Sequence, residues 1–178
     1  MPTPIAHTGF ALSLALLQDA HLGALTPRAR LARAALLVAL AADVDFVPGL
    51  LTGSAVAFHH GATHSIAFAV LLAGLAALAV GPSRYWLPAT LSHPLLDWVT
   101  GEPGADVRKY GIEALWPFDS TRYMSDWHAF GAYHIDTLGL VGGVLTWGAT
   151  ANLTREVGFA VACVGVAAVI RRATPIIA

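Results

Sequence analysis

The sequence predicts an all-α fold: a polytopic membrane helical bundle of five to six helices, with a metal site at one membrane face. Three observations lead there. Of the 178 residues, 56% are hydrophobic and only 12% are charged, with a mean hydropathy of +0.64, whereas soluble domains carry about a quarter charged residues. Six apolar segments of helical length follow one another, and no strand alternation competes with them. Most of the eight histidines fall in short clusters shared with aspartates. Such a set is costly in hydrocarbon unless something compensates it.

The segments run as follows. The first extends from about Pro4 to Leu22. The second runs from Pro27 to Val47, with Pro27 suited to a first helical turn and Pro48 to a stop. The third covers Gly61 to Val80 and the fourth Arg84 to Thr100. The fifth runs from about Phe130 to Thr150, and the sixth from Arg155 to Arg172. A spanning helix needs ~20 residues, a length the second and third reach and the first, fourth and sixth only approach. Small residues crowd every segment, which permits close helix packing in lipid. The whole chain, 1–178, reads as one integral membrane domain. Residues 101–129 are too long for a simple turn and read as a loop or cap. This stretch holds Trp116, Tyr123 and Trp127 beside Arg108, Lys109 and Arg122, suited to headgroup depth and an anionic group, or simply to an interfacial anchor.

Several classes drop out. A net charge of −1 offers no basic face for nucleic acid. The lone cysteine, Cys163, makes neither a disulfide nor a thiolate zinc site and reads as a packing residue. The N-terminus MPTPIAHTGF lacks a basic region, so no cleavable signal peptide is expected. No nucleophile elbow, phosphate-cradling glycine loop or dinucleotide fingerprint is present.

Threading the segments alternately through a bilayer gathers the clusters. His7 opens the first segment on a face designated X. Asp43 and Asp45 close the second on X, and His59, His60 and His64 open the third there. His93 and Asp97 end the fourth on X, and His128, His134 and Asp136 open the fifth on X. Histidines scattered through a core have no reason to converge in this way. The opposite turns carry Arg28, Arg30, Arg33, Arg84 and Arg155, and face X carries Arg108, Lys109, Arg122, Arg171 and Arg172. The totals tie. Short loops weigh more in orientation, so X is expected to be extracytoplasmic.

Spacing adds chemistry. His93 and Asp97 are four apart, as are His60 and His64, which puts each pair on one helical face. That is ligand spacing; for His93 and Asp97 an Asp–His hydrogen bond packing helices together accounts for it equally, while three histidines within six residues favour metal. Asp43 and Asp45 are two apart, so both reach one site only if the helix unwinds there; otherwise one coordinates and the other supports, or both are solvated acids. Thr63 and Ser65 offer hydroxyl bonds to ligands. Imidazole and carboxylate without thiolate suit zinc, and manganese or iron also fit. Mixed sites with several acids often hold two or more ions.

The order AHTGF, ADVD, HHGATHS, SHPLLDWVT and LWPF resembles the LexA-regulated inner-membrane metal-dependent hydrolase family over roughly residues 5 to 120. The resemblance implies metal-site roles for His7, Asp43, Asp45, His59, His64, His93 and Asp97. This chain departs from the pattern at His60, where the family usually has arginine, and at Ala42, where it has proline. Asp136 joins the ligand set because relatives hold an aspartate in a similar late segment. A more distant similarity is to zinc-dependent phospholipase C: His59 follows Asp45 by fourteen residues, and His93 with Asp97 forms HxxxD. That likeness implies a multi-zinc cluster and a phosphoester substrate.

The function expected is a membrane-embedded metal-dependent hydrolase acting on a phosphoester of a membrane lipid or lipid-linked substrate. Asp45, His59, His93 and Asp97 are expected around one zinc. Asp97 bridges to a second ion held with His7 and His64, and Asp43 or His60 serves as catalytic base or orienter. The competing classes are a metal-ion or proton transporter and a non-catalytic membrane scaffold. A transport path should carry ionisable groups at mid-membrane and on both sides, and here they gather at one end.

Overall fold

A computed structural model describes residues 3–22, 37, 40–53, 58–131 and 147–173. Most of the second and fifth predicted segments, with His134 and Asp136, lies outside the described residues. The described part is all-helical apart from two isolated bridges. Helix α1 spans Pro4–Leu22. A 3₁₀ turn over Ala41–Asp45 runs into α2, Phe46–Leu51. A second 3₁₀ turn, Ala62–His64, precedes α3, Ile66–Val80. Then come α4, Trp86–Trp98, the single-turn α5, Val107–Tyr110, and α6, Trp147–Ala173.

Local chemistry explains the boundaries. Pro48, expected to stop the second segment, instead sits in the first turn of α2. α2 follows directly on the 3₁₀ turn, and a first turn does not need proline's missing N–H. α3 begins five residues later than the expected third segment. Ser65 caps it by accepting from the Phe68 N–H at 3.1 Å, while the preceding HHGATHS stretch folds into turns that serve the polar cluster. Gly81 ends α3 at φ +118°, a conformation that favours glycine. Its carbonyl accepts the Trp86 indole N–H at 2.8 Å, which turns the chain into α4.

α6 differs most from expectation. Trp147–Thr154 is helical and continuous with the sixth segment, giving 27 residues and a length of ~40 Å. Its stretch Thr150–Ala173 is the one described helix long and apolar enough to cross a membrane; Pro4–Leu17 and Ile66–Val80 are apolar but shorter. α6 also runs in the opposite sense to the threading. Thr3 meets Glu156, and a Cβ added to Gly9 would collide with Ala160. Phe10 stacks on Phe159 with ring centroids 6.2 Å apart. Contacts that advance together along both helices make α1 and α6 parallel. Arg155 therefore lies at the end of the bundle where α1 begins, and Arg171 and Arg172 lie at the far end.

α3 and α4 form an antiparallel pair, with Trp86 packed on Ala73. α4 crosses to α1 through Leu96, Ala6 and Phe130. The segment after α4 is folded rather than loose. Thr100 bridges Phe130, and Ile112 pairs with Tyr123 through two backbone bonds of 2.9 Å. This strap also bonds to the turns before α3: Glu113 N–H donates to the His60 carbonyl at 2.9 Å, and Ile66 N–H to the Ala114 carbonyl at 3.0 Å.

Burial is inverted relative to a water-soluble protein. The largest fully buried side chains include His7, His64, His93, Asp97 and Glu156, while Leu78 is 86% exposed, Val161 67% and Val169 66%. Apolar side chains face outward along α3 and α6, while Asn152 and Glu156 of α6 face inward.

Candidate metal centre

Four short pieces of chain deliver the polar side chains to one end of the bundle. α1 supplies His7 from its first turn. The 3₁₀ turn supplies Asp43 and Asp45, the turns before α3 supply His59, His60 and His64, and α4 supplies His93 and Asp97. The 3₁₀ winding matters. Residues two apart diverge by about 120° there, against about 160° in an α-helix. Asp43 and Asp45 can thus flank a single imidazole.

That imidazole is His64, which is fully buried. Its Nδ1 lies 3.1 Å from Asp45 Oδ2. Its Nε2 lies 3.1 Å from Asp97 Oδ2 and 3.8 Å from Asp43 Oδ1. His93 Nε2 faces the same two carboxylates, 3.4 Å from Asp43 Oδ1 and 3.3 Å from Asp97 Oδ2. His7 Nε2 is 3.6 Å from Asp97 Oδ1, and its ring stacks on His93 at 3.8 Å between centroids. Two ligands of one ion, each ~2.0–2.1 Å from it, stand roughly 3–3.5 Å apart. Most of the spacings around Asp43, His64, His93 and Asp97 are of that size.

The donor atoms fit a cation on a second count. His7 Nδ1 and Nε2, Asp43 Oδ1, His64 Nε2 and both Asp97 oxygens are buried and make no hydrogen bond among the described residues. A buried polar atom left in that state costs ~1–3 kcal/mol, more if charged. Three groups bring ligand atoms within 4.8 Å of one another: His7, His93 and Asp97; Asp43, His64 and His93; and His59, His60 and His64. These groups could hold a metal ion.

Asp45 stands in a different relation to the cluster. Oδ1 is 2.8 Å from His59 Nδ1, and Oδ2 accepts the Thr63 hydroxyl at 2.8 Å besides facing His64 Nδ1. Both oxygens are engaged by protein groups. A carboxylate on the far nitrogen of a ligand imidazole fixes the tautomer and the ring's aim. Of the two hydroxyls expected to support ligands, Thr63 does so, while Ser65 turns back to the Ala62 carbonyl at 2.7 Å as the cap of α3. His59 is further pinned by Phe46, whose ring stacks at 3.9 Å.

His60 is held by the strap. Its φ of +66° places a non-glycine residue in the left-handed region, at a cost of ~1–2 kcal/mol. Offsetting this, its carbonyl accepts from Glu113, and its Nδ1–H donates to the Tyr110 carbonyl at 2.8 Å. The proton is committed to Nδ1, so Nε2 carries the lone pair, buried and without a hydrogen bond among the described residues. Burial, reinforced by neighbouring His59, holds this imidazole well below the usual histidine pKa. His59 is lowered as well, by burial first, with the Asp45 contact opposing. The basic residues of the strap are used structurally: Arg122 donates to the His59 carbonyl at 3.2 Å and to Glu113 at 3.5 Å, and Arg108 pairs with Asp106 at 3.3 Å.

His7, Asp43, Asp45, His59, His60, His64, His93 and Asp97 thus come to one end of the bundle. The expected set of Asp45, His59, His93 and Asp97 is interrupted by His64, which stands between the Asp45 pair and Asp97. His128 lies apart, its Nδ1 set against Gly101 near Met124. Asp136 falls outside the described residues.

Glu156 and Asn152, both buried polar residues of α6, escaped the sequence reading. Glu156 of α6 is fully buried, and its Oε2 accepts the Thr3 backbone N–H at 2.8 Å and also the Thr3 hydroxyl. Asn152, one turn earlier, accepts the Gly131 N–H at 3.0 Å. The available signal was that Glu156 is the only acid in the sixth segment. It was masked by the neighbouring Arg155, which made the pair look like an ordinary polar helix end.

Neither a curated protein nor a solved structure matches the chain. A family model does, across residues 1–174, that of the YdjM inner membrane protein. The inverted burial, the apolar α6 and the near full-length match agree, and the chain belongs to the YdjM inner membrane protein family.

Proposed function

We propose that this chain is a multi-pass inner-membrane hydrolase that cleaves a phosphoester of a lipid or lipid-linked substrate with the help of bound zinc. One observation carries the reading: buried nitrogen and oxygen atoms of His7, Asp43, His64, His93 and Asp97 converge at ligand spacing. Those of His7, Asp43, His64 and Asp97 are also buried and make no hydrogen bond among the described residues. One buried and one partly exposed carboxylate with three imidazoles and no thiolate suit zinc, with manganese or iron as substitutes.

When bound, such an ion lowers the pKa of water towards neutrality and offsets charge on a phosphoryl oxygen. The protein's own part is more specific. Asp45 aims His64 and His59. His60 presents a lone pair at Nε2, because Tyr110 holds its other nitrogen, and it serves as proton acceptor from the attacking water. Asp43, with a side chain 16% exposed, is the carboxylate nearest the open side and assists that transfer.

The membrane reading rests on the outward apolar faces of α3 and α6. The direction of α6 also breaks the charge tie. With Arg28, Arg30 and Arg33 kept where the sequence threading puts them, they, Arg84, Arg171 and Arg172 oppose Arg108, Lys109, Arg122 and Arg155, six against four. The excess of cations away from the cluster favours an extracytoplasmic site.

The test is metal analysis of the purified protein together with hydrolysis of a panel of phospholipids and polyprenyl phosphates, wild type against Asp97→Ala. Stoichiometric metal and turnover, both lost in the variant, are expected. A folded, metal-free and inert wild type would sink the proposal.

A further inference from the structure

α4 carries two faces of opposite character. Trp86, Thr90, His93 and Asp97 form a buried face that ends in the polar cluster. Leu91, Pro94, Leu95 and Trp98 follow at the i, i+3, i+4, i+7 spacing of a second face, and all four line a cavity of about 420 Å³. Leu115 and Tyr123 of the strap line it as well, and so does the fully buried His64. The same imidazole therefore borders both the candidate metal centre and the cavity. Toward the outside the lining remains apolar and accessible: Leu95 is 54% exposed and Leu115 44%. Tyr123 turns its hydroxyl to Asp119 Oδ2 at 2.9 Å, which engages the phenol's polar end.

We propose that this cavity is the chain-binding groove of the substrate: it takes the hydrocarbon tail of a single-chain phosphoester amphiphile, entering sideways between α4 and the strap, with the phosphoester delivered at His64. The occupant follows from continuity and size. A polar head must reach the cluster, and everything beyond His64 on the groove's path is apolar. With ~30 Å³ per water-sized group, the cavity accommodates on the order of a dozen methylenes, within the range of ordinary ligand pockets. This rests on the hydrolase reading for what happens at the head, but the groove itself is testable without turnover.

Full-length protein in detergent would be photolabelled with hexadecyl phosphate bearing a diazirine on its chain, and the adducts mapped by mass spectrometry. Expected are adducts on Leu91–Trp98 and on strap residues 112–123, abolished by excess hexadecyl phosphate and unaffected by inorganic phosphate. Leu91→Phe, and independently Leu115→Trp, should lower that labelling by ~10-fold, the scale at which occupied pocket volume discriminates. In a second arm, p-nitrophenyl hexadecyl phosphate is compared with p-nitrophenyl methyl phosphate on the zinc-loaded protein. The two variants should lower kcat/KM for the long chain by ~10-fold or more and leave the methyl ester within about twofold. Competable labelling without turnover would support the groove and overturn the hydrolase reading. Turnover with labelling that is diffuse, resistant to competition or unchanged in both variants would overturn the groove and leave the hydrolase standing.

Discussion

The two helix pairs of this protein solve opposite problems. α1 and α6 lie parallel and close, glycine against alanine, and the buried acid between them, Glu156, bonds the first backbone N–H before α1. α3 and α4 lie antiparallel, and at their shared end His64, His93 and Asp97 gather nitrogen and oxygen donor atoms in a buried cluster. The first pair uses its charge to hold structure together. The second gathers charge that structure alone does not use. The contrast teaches that burial of an ionisable group does not identify a functional site; what separates Asp97 from Glu156 is convergence on other donors and the lack of a backbone partner.

The contrast can be broken or sharpened by substitution. The largest effect is expected for Asp97→Ala. Loss of a group that faces His7, His64 and His93 should abolish bound metal and lower hydrolysis on the order of 10³-fold, a scale set by several kcal/mol of lost transition-state stabilisation. Inductively coupled plasma mass spectrometry and rate assays read both. Retained metal would place Asp97 with Glu156 as a structural acid. Next, Asp45→Asn should weaken metal affinity by ~10–100-fold while leaving a folded protein, the usual size for an orienting carboxylate; titration against a chromophoric chelator measures it. An unchanged affinity would show that His64 needs no help with its tautomer.

On the other pair, Glu156→Ala should lower stability by about 2 kcal/mol through the orphaned Thr3 donors, with metal content unchanged. Unfolding in mixed micelles combined with metal analysis tests this, and a parallel loss of metal would tie the two pairs into one unit. The smallest effect is expected for Gly9→Ala, about 1 kcal/mol, because the new methyl must displace Ala160. A wild-type stability there would mean that α1 and α6 separate more easily than their contact suggests.

Much of the centre could be read in the sequence. His93 and Asp97, and Asp45 with His59, sit in patterns whose spacing survives folding, because a helix turn or a short turn imposes it. Alternate threading then placed them together. What failed were features decided by tertiary contacts. Whether Asp45 faces a metal or an imidazole depends on which way His64 turns, and His64 turns as it does because Thr63 and Asp45 hold Nδ1. The direction of α6 depended on whether the chain breaks near Thr150. Gly148 and the polar Asn152, Thr154, Arg155 and Glu156 imitate a break there, yet the helix runs unbroken over Trp147–Ala173. Asn152 and Glu156 are in fact inward-facing and bonded to Gly131 and Thr3.

The hydrogen bonds between the strap and the HHGATHS turns also bear on biogenesis. His60 is translated some fifty residues before Glu113 and Ala114, the groups that complete the peptide bonding around it. Until the strap docks, the glycine-containing turn holds open amide and carbonyl groups. Any metal capture at the cluster would therefore be a late event in the life of the chain. It would follow synthesis of α4 and folding of the segment behind it, so that a nascent chain would not trap stray cations on a half-built site.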